Sequence, residues 1–216
     1  MWSSVEVELF GENAWSRVAR TLTDLDDSEL QSLVTNYGHP KKLHFNADFL
    51  DFECDLVRRS EAKGRHHDVT CFIRHPEGWV VIQKHAYAGT GIFRAPSGGA
   101  NPGESIEEAA IREMHEETGL TVQLREFILD VSLDVRCPDR TIPWRSLVFL
   151  ADAVDGEVEI VDKYEIHAVK IMSRNEILGT VQDRMQDTGW GGFSYRAFLT
   201  ENFFRTLDEL EKKKKT

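Results

Sequence analysis

The chain has 216 residues, 41% of them hydrophobic and 29% charged, with Gly 15 and Pro 6; this supports one globular domain plus extra segments and excludes collagen-like or Pro/Gly-rich disorder. Lys and Arg total 26 against 37 Asp and Glu, a net charge of −11 that argues against long nucleic acid or an anionic membrane as partner and repels phosphorylated ligands unless a metal reverses the sign locally. The longest apolar run, residues 147–151, is far too short to span a membrane, and the N-terminus lacks the pattern of a secretory signal, so the expected location is cytoplasmic.

Helical character is expected in part of residues 1–38, where Asp27 or Ser28 can cap a helix through Leu30, Leu33 and Val34 that Gly38 and Pro40 stop. Residues 43–60 mix apolar and charged side chains in the manner of extended chain. Strands are predicted at 69–73 and 79–83 across the turn His75-Pro76-Glu77-Gly78, followed by a Gly-rich stretch from Gly89 to Gly103 and a helix over 105–118. Further strands fall at 121–135, 145–154 and 165–172. From Tyr195 to Lys212, Phe198, Leu199, Phe203, Phe204, Leu207 and Leu210 recur at helical spacing, and the tetralysine Lys212–Lys215 reads as a cationic helix end favoured by the macrodipole. Cys54, Cys71 and Cys137 lie far apart, which predicts three reduced, buried thiols and neither a disulfide framework nor a zinc site.

The chemistry concentrates between Arg94 and Leu120. Ser105 followed by Glu108 is a capping-box pattern that starts a helix. On a wheel of about 100° per residue, Ile106, Ala109, Ala110 and Met114 form an apolar stripe. Glu113 and Glu117 continue that stripe and Glu116 lies at its edge, while His115 projects to the opposite side. Three like charges on a core-facing surface are costly unless a cation sits between them, and hard divalent cations take oxygen ligands. The loop Ser97-Gly98-Gly99-Ala100-Asn101-Pro102-Gly103 can fold back over the helix start and present a bare carbonyl to the same ion.

These residues carry a resemblance. Gly98, Glu104, Arg112, Glu113, Glu116, Glu117 and Gly119 match every fixed position of the Nudix box, G-x5-E-x7-R-E-U-x-E-E-x-G-U, with Met114 and Leu120 at the apolar positions. A chance match somewhere in this chain is on the order of one in a million at ordinary residue abundances. The resemblance implies an α/β fold, an α/β/α sandwich with a mixed sheet over about 66–185, here with an N-terminal extension, 1–65, and a C-terminal amphipathic helix, 186–216. It implies a hydrolase that cleaves the diphosphate of a small nucleotide derivative with Mg2+ or Mn2+.

Carried over residue by residue, Glu113, Glu116 and Glu117 resemble the metal-binding and base-positioning carboxylates. The Gly98 carbonyl resembles a further metal ligand, Arg112 the residue that orients Glu113, and Glu104 the acid that ties loop to helix. Relatives often add a carboxylate on or near a later strand, and Glu165 is the candidate, with Asp152 and Asp162 in reserve. Arg94, Lys84 and Arg145 are candidates to meet phosphates, and Phe93, Tyr87 and Trp144 to stack on a base. An ADP-ribose-like substrate is favoured. A nucleoside triphosphate is the alternative substrate, because Ser97 stands where many relatives carry proline and neither Pro138 nor Pro143 marks the ADP-ribose subfamily; a non-catalytic nucleotide sensor is the alternative class, against which the complete set of box acids argues. Three roles are open to residues 1–65: covering the site, forming a homodimer contact, or extending the sheet.

Overall fold

The computed structural model describes residues 25–215. Helix α1 (Asp27–Tyr37) starts at Asp26, whose carboxylate accepts the Ser28 amide at 3.0 Å, and ends at Gly38 with φ 89°. Residues 1–24, and any helix expected there, lie outside the described residues. Strand β1 (Lys41–Asp48) alternates buried Leu43, Phe45 and Ala47 with exposed neighbours, as a strand covered on one face does.

Six further strands follow: β2 (His67–His75), β3 (Gly78–Lys84), the two-residue β4 (Ser97–Gly98), β5 (Leu120–Arg136), β6 (Thr141–Gly156) and β7 (Ile166–Met172). They form one mixed sheet in the order β1-β5-β6-β2-β3-β7, with β4 paired to β2. The β1/β5 and β2/β6 pairs are parallel and the rest antiparallel. Helix α3 (Ile106–Thr118) and α1 cover one face over Val69, Cys71, Leu147 and Phe149. The other face carries α6 (Gly191–Lys214), with Phe72 stacked on Phe203 at 3.8 Å between ring centroids. The result is the three-layer α/β/α sandwich expected from the resemblance.

Three expectations need correction. Residues 43–60 are extended only through Asp48, and helix α2 (Asp51–Glu61) follows. Its buried residues are Glu53 and Cys54, while Phe52 and Leu56 stay exposed, so no core-facing apolar stripe announces the helix. The segment 174–187, left without an element, is helical: α4 (Arg174–Glu176), a wide-turned stretch Ile177–Val181 and α5 (Gln182–Asp187). Finally, Cys54 and Cys137 form a disulfide, leaving Cys71 as a buried free thiol. The parallel register Asp48↔Arg136 brings the two cysteines together although 83 residues separate them. Two of the three thiols expected to be reduced are thus oxidised to a disulfide. Among the described residues no helix is long and apolar enough to cross a membrane.

Candidate active site

Helix α3 is secured at both ends. Ser105 and Glu108 exchange the capping-box bonds, and Glu29 from α1 accepts the Ile106 amide at 2.5 Å. At its C-terminus Gly119 adopts φ 76°, and its amide donates to the His115 carbonyl. Ile106, Ala109, Ala110 and Met114 are buried against the sheet and His115 is exposed, as the wheel predicts. That packing fixes the azimuth of the acids: the Glu117 side chain is 3% exposed, Glu113 15% and Glu116 45%.

The preceding loop closes onto them. Glu117 Oε2 accepts the Ser97 amide at 2.8 Å. The Glu113 carboxylate rests so close to Gly98 that a Cβ there would meet Glu113 Cδ at 1.9 Å, so a side chain at that position would displace the carboxylate. One guanidinium orders the rest. Arg112 donates to both oxygens of Glu104 at 2.7 and 2.8 Å, to Glu113 at 2.8 Å, to Glu116 at 3.0 Å and to the Gly99 carbonyl at 3.1 Å. Glu104 also accepts the Asn101 amide, and the Arg112 bonds hold its carboxyl down at about 2. Burial pushes Glu113 the other way, above the usual carboxylate range. Arg112 opposes that shift, and the charges of Glu117 and Glu116 reinforce it.

Lys84 bridges the acids to the opposite rim. Its Nζ lies 3.1 Å from Glu117 Oε1 and also pairs with Glu165, whose side chain is 53% exposed. Glu165 is held in a turn by Asp162, whose carboxylate accepts the Tyr164 and Glu165 amides while its own amide donates to the Glu116 carbonyl. Asp152 is instead engaged by Arg74 and Arg125, both at 2.7 Å.

These groups open on a cleft of about 580 Å3. Arg65, Lys84, Arg94, Glu113 and Glu165 line its ionic end, and Phe49, Leu56, Val57, Val135 and Trp144 its apolar end. Arg94 reaches the cleft from a buried position, bonded to Tyr87, Ser97 and the Ala95 carbonyl. Phe93 and Tyr87 do not line it: Phe93 is buried with Lys170 Nζ 4.7 Å above its ring, and Tyr87 is held by Arg94. Arg145 is committed to a buried bidentate pair with Asp130 at 2.8 and 2.6 Å. Sequence reasoning missed Arg65, which donates to Asn101, and Arg196, which reaches from α6 to Asp68 at 2.9 Å and Thr70 at 3.0 Å. A signal for Arg196 existed, since it interrupts an otherwise apolar run from Tyr195 to Leu199.

The arrangement fits a hard divalent cation. Its candidate donors are all oxygen, the Glu113 carboxylate lies beside Gly98, and the buried Glu117 Oε1 has no hydrogen-bond partner despite the nearby Lys84 charge. Among the described residues no three acidic, histidine or cysteine side chains form a ready-made ion cage. An ion held through few carboxylates, with water and ligand phosphates completing its shell, needs none.

Comparison with known proteins shows the family of the chain. Residues 64–189 match the NUDIX domain, more than half of the chain, and the protein belongs to the Nudix family. An ADP-ribose pyrophosphatase of Methanocaldococcus jannaschii is 36% identical over 72 residues, 33% of this chain and 41% of that protein. The phosphatase NudJ of Escherichia coli is 35% identical over 63 residues, 29% of this chain and 40% of that protein. The chain thus spans less than half the length of these relatives. A crystal structure of a MutT protein from Methanosarcina mazei superposes with a TM-score of 0.47 at 21% identity, over 67% of this chain and 94% of that one.

Proposed function

We propose that the protein is a magnesium-dependent pyrophosphohydrolase that cleaves the diphosphate of a small nucleotide derivative, with a nucleoside diphosphate sugar such as ADP-ribose favoured. One observation carries this reading: Glu113, tied to Glu116 through Arg112, rests on Gly98 at the ionic end of a cleft of nucleotide size, and the buried Glu117 accepts the adjacent Ser97 amide. In this reading Glu113, Glu116, Glu117 and the Gly98 carbonyl hold Mg2+, with Mn2+ a substitute. The ion supplies charge neutralisation and Lewis acidity at the diphosphate, which an acidic protein needs before a polyanion can enter.

The chain's own groups do the rest. Arg112 keeps Glu113 and Glu116 in place through bonds it already makes. Arg65, Lys84 and Arg94 offer positive charge along the phosphates. Glu165, exposed on the opposite rim, accepts the proton of the attacking water as its oxygen bonds to phosphorus and the bridging oxygen leaves with the other phosphate. Lys84 pairs with Glu165 and holds it in position for that task. Holding charged groups fixed where charge develops is the main source of acceleration in phosphoryl chemistry.

The test is a nucleotide panel incubated with magnesium and read by mass. AMP and ribose 5-phosphate from ADP-ribose are the expected products. Inorganic pyrophosphate from a nucleoside triphosphate would replace the substrate assignment. Binding without any product over hours would leave a sensor.

A further inference from the structure

The apolar end of the cleft is built largely from chain outside the family-matched residues. Phe49, Leu56 and Val57 come from the segment before residue 64 and line the cleft together with Val135 and Trp144 of the β5–β6 hairpin. Leu56 is 52% exposed, an apolar side chain left on a concave wall that continues into the ionic end. Yet α2 contributes little to the core, and it is held by other means. The Cys54–Cys137 disulfide ties it to the end of β5, and Arg58–Asp139 and Glu61–Arg140 tie it to the hairpin turn. Glu53 accepts the amides of Leu50, Gly191 and Gly192, joining α2 to the start of α6. So much fastening on a helix with so little buried surface gives the cleft a wall of fixed spacing.

We propose that this wall is the specificity subsite for the base of the nucleotide. The base lies flat between Leu56 and Val57 on one side and Trp144 on the other, while the diphosphate lies at Glu113. The inference deepens the reading above and rests on it. A ligand that is anionic at one end and flat and apolar-faced at the other matches the two ends of the cleft, and Trp144 supplies a ring for stacking.

Equilibrium binding of AMP and of inorganic pyrophosphate, measured by calorimetry in magnesium, separates base from anion. Leu56→Asp sits on an exposed position and should fold normally; Trp144→Ala checks the facing wall. Both variants should bind AMP at least about tenfold more weakly and pyrophosphate within about twofold of the parent. Unchanged AMP binding would overturn the proposal. So would equal loss of both ligands, or tighter binding of an isoprenyl diphosphate than of AMP by the parent protein. Because this readout needs no turnover, absence of hydrolysis would remove the proposed reaction and leave the AMP result to decide the subsite.

Discussion

Of the helices that line the cleft, α2 and α3 are held in opposite ways. Helix α3 buries an apolar stripe in the sheet and is capped at both ends, so core packing fixes the direction of its acids. Helix α2 buries only Glu53 and Cys54, and a disulfide, two ion pairs to the hairpin turn and a carboxylate bonded to three amides hold it. The proposed chemistry, which tolerates little displacement, rests on a helix fixed by core packing. The wall proposed to select the substrate rests on discrete cross-links, each of which a single substitution can open. Damage to α3 should therefore appear in kcat, and damage to α2 in stability and in KM.

The largest expected effect is on α3. Glu117→Gln should lower kcat about a thousandfold or more, the scale of losing a major electrostatic stabiliser, with the fold retained in circular dichroism. Near-normal turnover would break the contrast. Next is the clip on α2. Cys54→Ser with Cys137→Ser, or reduction of the parent, should cost about 3 kcal/mol of stability, read as a lower unfolding midpoint, while kcat changes less than about threefold. Gly98→Ala follows: its methyl group meets a flexible carboxylate, so Glu113 moves aside, the protein folds, and kcat falls about a hundredfold.

The smallest effect is on pH dependence. Glu104 titrates near 2 in the folded protein against a usual value of 4.5, so it adds stability above pH 4.5 that is lost as pH falls toward 2. Unfolding midpoints across that acid window should fall less steeply in Glu104→Gln than in the parent.

The same contrast explains what could be read from the sequence. The stripe Ile106, Ala109, Ala110, Met114 has a helical period because α3 packs on a sheet, and the acids inherit their direction from it. The strands were legible for the same reason, through their buried alternation or continuous apolar runs. Helix α2 has no such period, since Phe52 and Leu56 face outward and a charged residue, Glu53, faces inward. The disulfide was hidden because its partners meet through a parallel pairing of β1 with β5, a long-range contact that no local spacing encodes. Arg145 and Phe93 show the limit from the other side: their residue types suit a phosphate and a base, but Asp130 and the core claim them.

The central claim, that the acids of α3 hold a divalent ion, is most directly tested by titrating Mn2+ into the parent and Glu117→Gln and following free Mn2+ by electron paramagnetic resonance. The parent should bind Mn2+ without nucleotide, and the variant at least about tenfold more weakly. Equal affinity in the two proteins would contradict it.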